Sequence, residues 1–168
     1  MSKVEGAEVL TVPLPGESET ILLGRKLSEC LNHRGKIYLR GDLGAGKTTL
    51  CRGILRALDY EGAVKSPTFT IVEPYNLPGG QVYHIDLYRL IDPEELEYIG
   101  IDDYFDDPNL CLVEWPEKAE GRLPVCDLDL ELLIEGRSRR ARLTAYSVFG
   151  SEVIGKLKQV IGNSIKQI

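Results

Sequence analysis

The chain has 168 residues, enough for one domain with a real core and not comfortably two. Its 43% apolar and 27% charged residues are ordinary for a globular protein, and no apolar run approaches the roughly 20 residues of a membrane helix. A net charge of −6 argues against a large phosphate-backbone footprint, so direct tight RNA or DNA binding is not expected.

In chain order, Met1 to Leu14 carries Glu5 and Glu8 and no long apolar stretch. It does not read as a secretory signal, so a cytoplasmic protein with no membrane attachment is expected. Val9 to Leu14 reads as a first strand. After the Pro15-Gly16-Glu17-Ser18 turn, Ser18 is expected to cap a helix to about Leu31, with Ile21, Leu22, Leu27 and Leu31 as its stripe. Lys36 to Arg40 is a short strand, a glycine-rich segment follows, and Lys47 to Leu58 has helical apolar spacing.

Phe69 to Tyr75 and Gln81 to Arg89 read as two strands joined by the five residues Asn76 to Gly80. Asp92-Pro93-Glu94-Glu95 is a helix start, and the helix should end near Gly100. Leu110 to Trp115 is a buried-looking strand stopped by Pro116. Asp127 to Glu135 and Arg139 to Ser147 form a hairpin pattern, and a closing helix covers 151–163, best marked over Ser151 to Ile161. Together these predict a single α/β domain over 1–168, a P-loop NTPase fold whose mixed parallel and antiparallel sheet is flanked by helices. None of the four cysteines falls in a C-x-x-C pair and there are only two histidines, so reduced core thiols are expected rather than a zinc cluster.

Gly41-Asp42-Leu43-Gly44-Ala45-Gly46-Lys47-Thr48 matches G-x-x-x-x-G-K-[ST] at every fixed position, with a strand before it and a helix after it. Glycines let backbone N–H groups turn inward around a polyphosphate, and the following helix aims its positive end at the same anion. The expected ligand is ATP with Mg²⁺. Lys47 reaches the β- and γ-phosphates, the Thr48 hydroxyl ligates Mg²⁺, and Gly44 to Thr49 seat the phosphates.

A P-loop needs a carboxylate on a neighbouring strand. Glu114, ending the apolar run Leu110 to Val113, is the expected Mg²⁺ or water-positioning acid, because a carboxylate at the tip of a buried strand is costly unless it serves an ion. Asp86 is a second, catalytic candidate. Period-two alternation puts His84, Asp86 and Tyr88 on one face of their strand, where a solvated sheet face is the plainer alternative. Ser66-Pro67-Thr68 is a candidate γ-phosphate-sensing loop. Arg137, Arg139, Arg140 and Arg142 read equally as a solvated edge strand or an anion contact.

The segments GDLGAGKTT (Gly41 to Thr49), VKSPTFTIVEPY (Val64 to Tyr75), VYHIDLYRL (Val82 to Leu90), DPEELEYIGIDDYF (Asp92 to Phe105) and LVEWPEK (Leu112 to Lys118) together resemble the bacterial TsaE family, formerly YjeE, over about residues 8–150. The resemblance implies an ATPase that binds ATP and Mg²⁺, hydrolyses ATP weakly to ADP and works with the TsaD and TsaB proteins on threonylcarbamoyl-AMP made by TsaC. The product is threonylcarbamoyladenosine (t6A) beside the anticodon of tRNAs reading codons that begin with A, with tRNA contacted through the complex. It places Lys47 and Thr48 on the family's phosphate lysine and metal threonine, Glu114 on its second metal ligand, and Asp86 on an acid needed for activity. It also places Glu17 and Ser138 on nucleotide contacts. A small-metabolite kinase, with the 137–142 arginines as lid, and a non-catalytic nucleotide-gated adaptor are the alternatives. No N-K-x-D or T-K-x-D segment supports a GTPase.

Overall fold

The computed structural model describes residues 8–67, 70–106 and 108–165. Thr68 of the proposed sensing loop and Phe69 of the first hairpin strand lie outside the described residues, as do the first seven residues. The elements run β1 (Val9–Leu14), α1 (Glu17–Leu31), β2 (Gly35–Arg40), α2 (Lys47–Ala57), β3 (Val72–Leu77) and β4 (Gly80–Asp86). There follow α3 (Glu95–Ile99), α4 (Ile101–Tyr104), β5 (Leu110–Glu114), a 3-10 turn (Pro116–Ala119), β6 (Leu128–Glu135), β7 (Ser138–Ala145) and α5 (Val148–Ile165). Among the described residues no helix is long and apolar enough to cross a membrane.

Among the described residues one seven-stranded sheet has the order β1-β7-β6-β2-β5-β4-β3. β2 pairs in parallel with both β5 and β6, and β4 pairs in parallel with β5. The β1/β7, β6/β7 and β3/β4 pairs are antiparallel, so the sheet is mixed, as the pattern predicts. Every residue of β5 is buried, which explains its unbroken apolar run: a central parallel strand is covered on both faces. Ile37, Leu39, Leu110 and Leu112 join the larger core with α1, α2 and α5. Tyr38, Cys111 and Val113 face the smaller one, with Leu96 of α3 and Ile101 of α4. All four cysteines are free and buried in these cores.

Several local expectations are corrected. Gly16, not Ser18, is the N-cap of α1, and no side chain caps it. Ser18 is already inside the first turn, where Glu17 and Glu19 complement the helix dipole. The β3/β4 pairing runs on to Leu77 and Gly80, leaving Pro78 and Gly79 as the connection rather than five residues. β3 is a sheet edge, which is why Pro74 is tolerated within it. β7 lies between β1 and β6, so the arginine-bearing segment is an interior strand and not an edge. β5 stops at Glu114 because Trp115 takes a left-handed conformation, φ 59°. The predicted 92–100 helix is the short α3, ended by left-handed Gly100, and the closing helix is longer at both ends than its pattern indicates.

Candidate functional site

The site is assembled where β2, β4 and β5 end beside the N-terminus of α2. Gly44 and Gly46 hold φ values of +80° and +108°, conformations a Cβ would strain, and Gly46 is the residue from which α2 starts. The loop Asp42 to Thr49 lines a cavity of about 350 Å³ together with Ser66, Asp86, Tyr88, Glu114 and Trp115. The two segments singled out as an acid pair and the glycine-rich loop therefore meet in one place.

Strand register explains the meeting. Asp86 stands opposite Glu114, and His84 opposite Leu112, on the face that packs against α2. That face is buried, so the solvated-face alternative for His84 and Asp86 does not hold. The Thr48 hydroxyl donates to Glu114 Oε2 at 3.3 Å. His84 Nε2 lies 2.5 Å from the same oxygen, with both side chains buried, so His84 orients Glu114. Asp86 is held by the Ser66 hydroxyl and by the Tyr88 N–H, 2.9 Å from Oδ1.

Lys47 is only 5% exposed. Its ammonium donates to the Gly41 and Asp42 carbonyls and sits 3.9 Å from the centre of the Trp115 ring. Burial pushes its pKa below the ordinary lysine value, against the pull of Glu114, Glu117, Asp86 and Asp42 in the opposite direction. Trp115 thus lies in the site, with the Tyr88 ring tilted against it at 5.0 Å.

The donor set fits a hard divalent cation. Two oxygens 3.3 Å apart, one hydroxyl and one carboxylate, compare with about 3 Å for neighbouring ligands at Mg²⁺ bond lengths. Cys51 brings a sulfur within 4.8 Å of ligand atoms on His84 and Glu114. Complete burial drives that thiol well above its usual pKa, so it stays protonated and packs as a small apolar group.

A second groove, about 160 Å³, lies on the other side of the loop, lined by Glu17, Thr20, Gly44, Ala45, Gly46, Thr49, Arg137 and Arg139. Glu17 is thus beside the loop, where it also faces Arg52 at 3.8 Å. Ser138 gives its hydroxyl to the Glu135 carbonyl, and its neighbours line the groove instead. Arg139 donates to the Gly44 carbonyl at 3.2 Å across 95 residues of sequence. Arg40, next to the loop in sequence, is instead held by Asp129 at 2.7 Å. The basic cluster itself was the available signal. Arg140 and Arg142 pair with Glu135 and Glu131, so only part of the cluster turns toward the loop.

Comparison with known proteins adds to this geometry. The family described as threonylcarbamoyl adenosine biosynthesis protein TsaE matches residues 14–142. The chain is 47% identical over 152 residues to the tRNA threonylcarbamoyladenosine biosynthesis protein TsaE of Haemophilus influenzae, covering 88% of this chain and 96% of that one. It is 43% identical over 127 residues to the protein of the same name in Bacillus subtilis, covering 75% and 77%. The crystal structure of Bacillus subtilis YdiB superimposes with a TM-score of 0.74 at 28% identity, covering 91% of this chain and 96% of that one.

Proposed function

The chain belongs to the TsaE family, and from that membership we propose that it is a P-loop ATPase supporting t6A modification of tRNAs that read codons beginning with A. The observation that carries the reading is the meeting of Thr48 and Glu114 at 3.3 Å beside Lys47, in one cavity with Asp86. It joins the family's pathway to a site with the donors a magnesium nucleotide needs.

In this reading the backbone N–H groups of Gly44 to Thr49 bind the phosphates of ATP, and Lys47 leaves the Trp115 face to bind the β- and γ-oxygens. Thr48 and Glu114 hold Mg²⁺, which when bound neutralises charge developing on the phosphates. His84 fixes the Glu114 carboxylate. Asp86, held by Ser66 and the Tyr88 N–H, orients the attacking water. Glu17 and the 137–139 turn, Ser138 included, border the rest of the nucleotide. Loss of the terminal phosphate frees Ser66 and its loop to relax.

Turnover by the isolated chain is slow, because a P-loop lacking a supplied arginine finger hydrolyses roughly 10³–10⁵ more slowly. TsaD and TsaB are the partners in this reading. ATP hydrolysis resets their complex between rounds of threonylcarbamoyl transfer, and tRNA is met through the complex. A reconstituted tRNA modification assay tests the reading. Multiple turnovers that require both this chain and ATP support it; full turnover with the chain omitted overturns it. A screen of small-molecule phosphoryl acceptors excludes the kinase alternative if no product forms.

A further inference from the structure

Resting on the reading above that the chain works with protein partners, we infer that the α3–α4 segment is the surface through which such a partner docks. The partner it fits is a protein face rich in lysine and arginine with a pocket for an aromatic ring.

The sequence between Asp92 and Asp106 carries seven carboxylates and no lysine, arginine or histidine, and all seven acidic residues are exposed. Arg122 bridges part of it, to Glu97 at 2.6 Å and Glu94 at 3.7 Å. The two most exposed large apolar side chains among the described residues are Ile91, at 91% and next to Asp92 where the run begins, and Tyr98, at 92% and within it. Leu96 and Ile101 turn inward into the smaller core, so the outward set is built on an anchored segment. An exposed tyrosine flanked in sequence by exposed carboxylates, with an exposed isoleucine at the start of the run, has the makeup of an interface centre with a polar rim.

Charge decides the occupant. RNA and an anionic membrane carry the same sign as this surface, and a second copy would set one acidic segment against another. A basic protein face gains attraction on approach and receives the two apolar side chains at its centre.

The location gives docking a route to the nucleotide. Ile91 is three residues past Tyr88, whose N–H holds Asp86 and whose ring packs at a tilt against Trp115, the ring beneath Lys47. A partner that shifts residues 88–98 therefore acts on both the acid and the phosphate lysine.

The test measures binding of the purified cognate TsaD–TsaB complex to the immobilised full chain, as wild type, Tyr98→Ala, and the charge-reversed pair Glu95→Lys with Asp102→Lys. Each variant is first shown to bind Mg-ATP as the wild type does, which establishes that it is folded. The expected result is at least about tenfold weaker binding for each variant, and weakening of the wild type as salt is raised. Wild-type binding that survives both variants overturns the surface and leaves the partner reading intact. Absence of wild-type binding overturns the partner reading, and this inference with it. Titration with tRNA and sedimentation of the chain alone cover the other occupants. A tRNA affinity or a self-association that the same substitutions abolish overturns the inference.

Discussion

Lys47 is a charge held in a dry place before any ligand arrives. Burial lowers its pKa, while a bound polyphosphate raises it again. The sign follows: affinity for Mg-ATP is full below the free-state pKa and is lost as pH rises from that value toward the higher, bound-state one. The loss therefore begins at a lower pH than an ordinary lysine would give, and Lys47→Arg flattens it, since arginine stays charged. Calorimetric affinities measured across the alkaline range check this. At Glu114 the controlling neighbour is His84, buried and 2.5 Å away. His84→Ala leaves the carboxylate free to rotate, so the Mg²⁺ concentration needed for half-maximal nucleotide binding should rise about 10-fold or more, as for other groups that orient a metal ligand. An unchanged requirement would show that Thr48 and the loop alone fix Glu114.

Helix packing holds the loop in place. α1 and α2 cross with Gly24 against the Leu50 carbonyl and Gly53 against the Ile21 carbonyl, too close for any side chain. Gly53→Ala should destabilise by about 1–3 kcal/mol despite alanine's better helix propensity, because its Cβ meets backbone. Gly155→Ala in α5, where nothing lies within 4 Å, should stabilise by about 0.5–1 kcal/mol. Urea denaturation separates the two signs. The buried thiols give another element-level result. Cys111 and Cys126 are pushed up to about 12, so native protein near pH 8 should react slowly with a disulfide reagent and show four thiols once unfolded. Rapid native modification would mean that the strands holding them open readily.

At the scale of the molecule, what was legible in the sequence is what periodicity and phosphate chemistry encode locally. β1 and β5, the two strands of the 128–145 hairpin and the glycine-rich loop were readable because each has its pattern within eight or fewer residues. The Thr48/Glu114 pairing was readable because the chemistry of the loop demands an acid on a neighbouring strand. What tertiary pairing decides was not readable. The β3/β4 turn tightened because strand pairing, not turn composition, set its length. His84 went to Glu114 because the β4/β5 register placed it there. Arg139 reached Gly44 only because β7 sits inside the sheet. The central claim is that the loop from Gly41 to Thr49, through Lys47, grips a magnesium nucleotide. Calorimetric titration of Mg-ATP into wild-type and Lys47→Ala protein tests it most directly. The account predicts one site per chain, weakened by about 1.5–3 kcal/mol, or roughly 10- to 100-fold, when the ammonium is removed. No heat from the wild type, or equal affinities for the two proteins, would contradict it.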